Sequence, residues 1–308
     1  MRIRISTDFP HWPLFRQTPG GTGKWKDCQF MFSEAPETRE SFDAWVVYEG
    51  VSQNESCWCD PARTIFITGE PEMIRSYAPD FLDQFAVVLT SQTRITHRNV
   101  ISRQQALPWH IGVKRKWGQG GQALEVNQSQ FGYDDFKQNI SMPKPKALSV
   151  ICSDKSRLDG HHQRVDFVRI IKQHFGDRLD WYGKGFTSIE DKWDAIAPYC
   201  FHICLENASV PHYWTEKLSD AYLGGAFPIY YGCKNIEEYF HADAFQRIDI
   251  AEPSLAISTI EARLKRGVDD VMIAALKESK LRVLDQYNLF PMIAELVSTL
   301  PSAGLAAA

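Results

Sequence analysis

Apolar residues fall in short runs through the first third of the chain: RIRIS at the N-terminus, AWVVY at 44–48, TIFIT at 64–68 and FAVVL at 85–89. Runs of this length, rich in β-branched residues and bounded by polar loops, predict buried strands, and their alternation with helical stretches predicts a parallel sheet with crossovers. Met-Pro-Lys-Pro-Lys at 142–146 suits neither a helix nor a central strand, so the boundary is set there, giving domains 1–142 and 143–300. Beyond it the pattern restarts. ALSVICS reads as a strand, and RVDFVRIIKQHF carries Val165, Val168, Ile171 and Phe175 at helical spacing. RLDWYG and YCFHICLEN read as strands, followed by a helix ending at Gly224 and Gly225 and the strand FPIYYG. AFQRIDI at 244–250 predicts one more strand, residues 254–300 predict helices, and the tail 301–308 predicts disorder. The fold class expected is α/β, with two Rossmann-like halves facing one another across a cleft.

One helix start is electrostatically odd. In HYWTEKLSDAYLGGAFPIYYG, residues 212–232, Thr215 can cap the first turn and Glu216 suits the positive end of the peptide dipoles, yet Lys217 sets a cation there too. Something negative should lie between that lysine and the unpaired N–H groups of the first turn. Ligands of open parallel sheets bind beyond the carboxyl ends of the strands, so Glu206 and Asn207 should converge with Thr215, Glu216 and Lys217. A phosphate at that point would explain the lysine. The alternative is a lysine that merely reaches solvent beside Glu216. Arg164, early in its helix, could aim a guanidinium at the same crevice, and Gly183 and Lys184 in WYGKG suit a tight turn with close backbone approach to a ligand. In the N-terminal half, Glu70 follows the strand TIFIT and Gly69, with Pro71 placed as a first helical residue, so the helix dipole would hold the Glu70 carboxylate ionised as a candidate general base. The first loop, DFPHWPLFRQTPGGTGKWK, offers His11, Trp12 and Trp25 for packing against sugar rings, or simply for packing the loop.

Composition narrows the classes. With 308 residues and a formal charge of -4, the chain has room for two cores and no general affinity for nucleic acid or anionic membrane. MRIRISTDFPHW lacks the apolar stretch of a secretory signal, and no apolar run has a spanning helix's length, so a cytoplasmic protein is expected, with peripheral attachment at the inner membrane as the variant. Seven cysteines without repeated C-x-x-C spacing fit reduced thiols. TPGGTGKW at 18–25 fails as a phosphate loop, because Thr18 stands where its first glycine belongs and Trp25 where Ser or Thr should follow the lysine. Cys57 and Cys59, and His161 and His162, lack metal-ligand spacing, and no D-x-D triplet occurs to hold a nucleotide through a divalent ion.

CLENASVPHYWTEKLSDAYLGGAFPIYYG resembles the donor signature of the family 10 glycosyltransferases, the α1,3/α1,4-fucosyltransferases: F-E-N, seven residues, T-E-K, a helix, then P-[IV]-x-x-G. The seven-residue interval from Asn207 to Thr215 is kept; Leu205 replaces the usual Phe, and Trp214 a small aliphatic residue. Arg164 in R-x-x-F-V, WYGKG and Thr68-Gly69-Glu70 extend the resemblance over about 60 to 250. It implies the GT-B fold type, an N-terminal acceptor domain, a C-terminal domain holding GDP-fucose, and inverting transfer to a glycan or lipopolysaccharide-type hydroxyl without an essential metal or other cofactor. By the same resemblance Arg164 and Lys217 would bind the diphosphate, Glu216, Asn207 and Tyr213 the nucleotide sugar, and Glu70 would be the base. Another nucleotide sugar on the same fold, or a binding protein without turnover, are the competing expectations.

Overall fold

The computed structural model describes residues 1–9, 12–32, 36–117, 123–138, 142–153 and 159–301, by backbone alone at 116, 117, 123–129 and 159–161. It divides into two compact units, Met1–Pro108 with Gln286–Ala308, and Trp109–Asp285.

The first unit is built on a seven-stranded sheet. Its parallel strands are β1 (Arg2–Thr7), β2 (Cys28–Phe32), β3 (Ala44–Tyr48), β4 (Thr64–Ile67), β5 (Val87–Thr90) and β6 (Val100–Ser102), in the order β2-β1-β3-β4-β5-β6, and Lys24–Trp25 pairs antiparallel on the β2 edge. Every residue of β4 and β5 is buried, as expected of parallel strands covered on both faces. All four predicted strands are present. The crossovers between them differ from expectation: among the described connections only Pro79–Leu82 is an α-helix, the rest being loops, 3-10 turns and the paired short strands Glu37–Ser41 and Ser56–Trp58.

The second unit carries a five-stranded parallel sheet, β7 (Lys146–Ile151), β8 (Leu179–Tyr182), β9 (Tyr199–Leu205), β10 (Phe227–Tyr231) and β11 (Gln246–Arg247), ordered β8-β7-β9-β10-β11. Of AFQRIDI only Gln246 and Arg247 pair. Helix α1 (Asp159–Phe175) follows β7 and α2 (Glu216–Leu223) lies between β9 and β10; α3 (Pro253–Arg266) and α4 (Asp270–Asp285) belong to the same unit, as do the hairpin Val113–Trp117/Ala123–Ser129 and the short helices Tyr133–Lys137 and Trp193–Ile196. Gly225, at φ +69°, takes the left-handed position after α2. In both sheets the order reverses between the first strand and the third, and that switch point is where open α/β sheets hold their ligands.

The boundary expected at 142 falls inside the second unit, for two physical reasons. Lys144 does not lie in a solvated linker: its ammonium donates to the carbonyls of Ala197, Tyr199 and Gly224 at 2.9, 3.1 and 3.1 Å, and burial pulls it down to about 8. Upstream, Phe131 packs on Trp193 at 4.8 Å, and Asp220 in α2 accepts the N–H groups of His110 and Ile111. The last helix, α5 (Leu289–Thr299), was expected with the C-terminal half and belongs to the first unit. Phe290 meets Phe30 at 5.0 Å, and the Asn288 cap exchanges amide hydrogen bonds with Gln17. Of the predicted tail, residues 302–308 lie outside the described residues.

A buried histidine sets a test of the second core. His202 in β9 meets Ser149 Oγ at 2.8 Å, and Ser149 donates its own proton to the Ala195 carbonyl at 2.6 Å, so His202 Nδ1–H donates to Ser149. Burial, helped by Lys192, pulls the imidazole down to about 3. Between the unfolded value near 6.5 and that point the unfolded chain takes a proton that the folded chain refuses. Stability from this group is therefore whole above pH 6.5 and falls by about 1.4 kcal/mol per pH unit below it. In urea titrations from pH 6.5 to 4, His202→Gln should lose stability less steeply than the parent, and parallel slopes would refute the burial argument.

Candidate functional site

At the switch point of the second unit, Leu205 ends β9 and its carbonyl accepts Arg164 Nη1 at 3.2 Å. Arg164 is buried, and with Lys217 it exerts a pull on the Cys152 thiol at the end of β7, which burial pushes up nonetheless. The two cations therefore flank one strand end. Thr215 caps α2, its hydroxyl accepting Lys217 N–H at 3.3 Å and donating to Glu206 Oε2 at 2.7 Å, while its own N–H reaches Glu206 Oε1 at 2.8 Å. Leu218 N–H is taken by the Thr215 carbonyl at 3.2 Å. The expected open row of N–H groups is thus largely satisfied within the chain. Lys217 Nζ lies 3.1 Å from Thr215 Oγ1, 3.3 Å from Glu216 Oε1 and 3.5 Å from Glu206 Oε2, with 22% of its side chain exposed. The negative groups beside this lysine are two of the chain's own carboxylates. Burial pushes Glu206 up against the pull of Lys217. On Glu216 burial also acts upward, but Lys217, Lys192 and His110 together outweigh it and hold the carboxyl well below its ordinary range.

Behind this rank stands a second one that sequence reading missed. Lys192 Nζ is 2.8 Å from Asp220 Oδ2 and 3.4 Å from Glu216 Oε1, and His110 Nδ1 is 3.7 Å from Glu216. Asp191 accepts Gly112 N–H and Trp193 N–H, both at 2.8 Å. Segment 109–112 is thereby fastened to α2 through Asp220 and to the turn before Trp193 through Asp191.

In the first unit the switch point gathers Asp8 beyond β1, Glu49 beyond β3 and Glu70 beyond β4. Arg75 Nη1 lies 2.7 Å from Asp8 and 3.6 Å from Glu49, and its guanidinium sits 5.5 Å from the Tyr77 ring centre. Burial, with Glu49, Asp8 and Glu70 adding, pushes the Tyr77 phenol up against Arg75. Glu49 takes a left-handed φ of +63°, and a Cβ on Gly69 would stand 1.5 Å from Glu49 Oε1, so a larger residue before Glu70 would displace the Glu49 side chain. Glu70 does not start a helix. Pro71 opens a turn whose carbonyl accepts Ile74 and Arg75 N–H groups, and Gln92 Nε2 clamps it through the carbonyls of Glu70 and Arg75 at 2.8 and 2.9 Å. The helix-dipole support expected for Glu70 is therefore absent.

Residues 143–254 match the family described as glycosyltransferase family 10 (fucosyltransferase), C-terminal part. That match covers about a third of the chain and lies wholly within the second unit. Among curated proteins it is similar to 4-galactosyl-N-acetylglucosaminide 3-alpha-L-fucosyltransferase 9 of Mus musculus, 29% identical over 116 residues, and to alpha-(1,3)-fucosyltransferase FucT of Helicobacter pylori, 31% identical over 61. The matched stretches cover 36% and 20% of this chain, and only 32% and 13% of those proteins. A solved structure of an alpha1,3-fucosyltransferase with GDP aligns over 97% of this chain and 89% of that one, at 16% identity and TM-score 0.51; another, with GDP-fucose, aligns at TM-score 0.50. At that identity the likeness is one of fold: two parallel-sheet units of the GT-B type.

The family 10 signature divides into three structural groups here. Arg164, Thr215, Glu216 and Lys217 come together. Asn207 joins them at the end of β9, half-buried, its Oδ1 without a hydrogen-bond partner among the described residues. Glu206 and Tyr213 are fully buried, so Glu206 braces the start of α2 and Tyr213 packs in the core; burial is the property their sequence positions did not reveal. Gly183, at φ +137°, does make a close backbone approach, to the Cys152 carbonyl, where a Cβ would stand 2.6 Å away; Lys184 beside it is exposed. Of the aromatic residues expected at an acceptor, Trp25 is buried beside Cys28, Trp12 is half-buried, and His11 lies outside the described residues. Among the described residues no helix is long and apolar enough to cross a membrane.

Proposed function

We propose that this chain is a family 10 glycosyltransferase that transfers fucose from GDP-fucose to a hydroxyl of a glycan acceptor, with inversion at the sugar carbon and without a divalent metal. What supports the reading most is the pair Arg164 and Lys217 at one strand end beneath the family's own signature. In the reaction the acceptor oxygen attacks the fucose C1 from the face opposite GDP. Its proton passes to Glu70, and the C1–O bond electrons leave with the diphosphate. Arg164 and Lys217 neutralise the charge gathering on that leaving group, which is the work a metal does elsewhere. Asn207 and Glu216 accept from hydroxyls of the nucleotide sugar, and Glu206 holds the helix start in place.

A thermal-shift panel of nucleotide sugars run throughout in EDTA tests both parts. GDP and GDP-fucose should raise the melting temperature more than UDP- or ADP-sugars, by about 2.7 kcal/mol of added stability at a hundredfold excess over Kd. Equal shifts from UDP-sugars would overturn the donor assignment, and a shift that requires added divalent metal would overturn metal independence. Release of GDP in the presence of glycans separates a transferase from a binder that keeps only the pocket.

A further inference from the structure

At the end of β8 the chain makes a turn whose aromatic pair has no part in the mechanism above. Trp181 and Phe186 stack with ring centres 3.6 Å apart and planes 25° from parallel. The turn between them is braced: Gly183 N–H donates to the Thr187 carbonyl at 2.9 Å, Phe186 N–H to the Gly183 carbonyl at 3.0 Å, and Tyr182 bridges Thr187. Trp181 Nε1 donates to the Cys152 carbonyl at 2.8 Å, and Gly183 abuts the same group. Cys152 is the residue whose thiol feels both Arg164 and Lys217. An aromatic pair is thus pinned to the strand end that the phosphate-binding cations flank. One face of Phe186 rests on Trp181, and the residue is still 36% exposed. A single exposed phenylalanine is ordinary, but a ring held flat on a braced turn beside the end of β7 is a ready stacking surface for a planar ligand.

We propose that Phe186, backed by Trp181, is the stacking platform for the purine base of the nucleotide, and that exposed Lys184 on the same turn donates to the base. An ammonium has donors only, so it suits guanine, which presents O6 and N7 as neighbouring acceptors, and not adenine, which presents an N6 donor there. The inference rests on the proposed GDP-sugar site and adds the half of the ligand that the cations do not hold. Its occupant is a guanine nucleotide, with inorganic pyrophosphate as the ligand that shares the phosphates and lacks the base.

Calorimetric titration of the full chain with GDP, ADP and inorganic pyrophosphate tests it, with Trp181 fluorescence as a second readout. Phe186→Ala should weaken GDP roughly tenfold or more, leave pyrophosphate affinity unchanged, and abolish quenching of Trp181 by GDP; Phe186→Tyr should behave as the parent. Lys184→Ala should narrow the preference for GDP over ADP. Parental GDP affinity in Phe186→Ala, with its melting temperature unaltered, overturns the platform while leaving the phosphate site standing. A parent chain that binds neither GDP nor pyrophosphate overturns both.

Discussion

Replacing Lys217 by alanine is expected to weaken GDP binding by about 2 kcal/mol, more than tenfold, and to lower turnover about a hundredfold. The first figure is that of one charge-assisted hydrogen bond lost. The second is that of one donor removed from a developing anion. The structure adds a complication that must be separated from this effect, because Lys217 also neutralises Glu206, a carboxylate with no solvent exposure. Without the lysine, Glu206, already pushed up by burial, rises further. A carboxyl whose folded value is raised weakens the fold above that value and ceases to do so as pH falls below its unfolded value. The stability lost in Lys217→Ala should therefore be present at neutral pH and recover toward pH 4, which a denaturation series would record. Lys217→Ala combined with Glu206→Gln removes the buried charge along with its partner. If the lysine grips phosphate, the double variant regains ligand-free stability and stays defective for GDP. Recovery of GDP affinity in the double variant would show that the lysine serves only to neutralise Glu206.

How far the site could be read in advance depended on whether its residues are neighbours in the chain. Thr215, Glu216 and Lys217 are consecutive, and a helix start obeys local rules, so the cap and the oddity of the lysine were legible. Arg164 followed from strand–helix periodicity together with the R-x-x-F-V resemblance. Lys192, Asp220 and His110 were not legible, because nothing local marks them; they become a network only when residues 109–112 pack onto a helix more than a hundred positions later. Glu206 converges with Thr215 and Lys217 as its position implies, but that it and Tyr213 are fully buried was not legible, since burial is set by tertiary packing. Pro71 illustrates the weakness of a single local signal: proline suits a helix start and a turn alike, and Gln92 selects the turn. The boundary at 142 failed for the same reason, because the carbonyls that bind Lys144 come from residues 53 to 80 positions away.

Glu70→Ala is expected to lower turnover by about 10²- to 10⁴-fold while leaving GDP affinity near that of the parent. The size follows from removal of a general base. The sparing of GDP follows because Glu70 stands in the first unit, whereas Arg164, Lys217 and Glu216 all belong to the second. Two other carboxylates lie at the same end of the first sheet and must be weighed as bases. Asp8 is 2.7 Å and Glu49 is 3.6 Å from the Arg75 guanidinium, so each is engaged with a cation. Their variants predict a different pattern. Asp8→Asn and Glu49→Gln loosen Arg75 and the turn that carries Glu70, so each should reduce kcat moderately without changing the pH at which activity rises. Glu70→Gln, by contrast, keeps the shape of the turn and removes the base, so it should be as inactive as Glu70→Ala. Near-parental turnover in Glu70→Gln would exclude Glu70 as the base. A shift of the acid limb of the kcat profile in Glu49→Gln would then move the assignment to Glu49, whose left-handed backbone presses its carboxylate against Gly69.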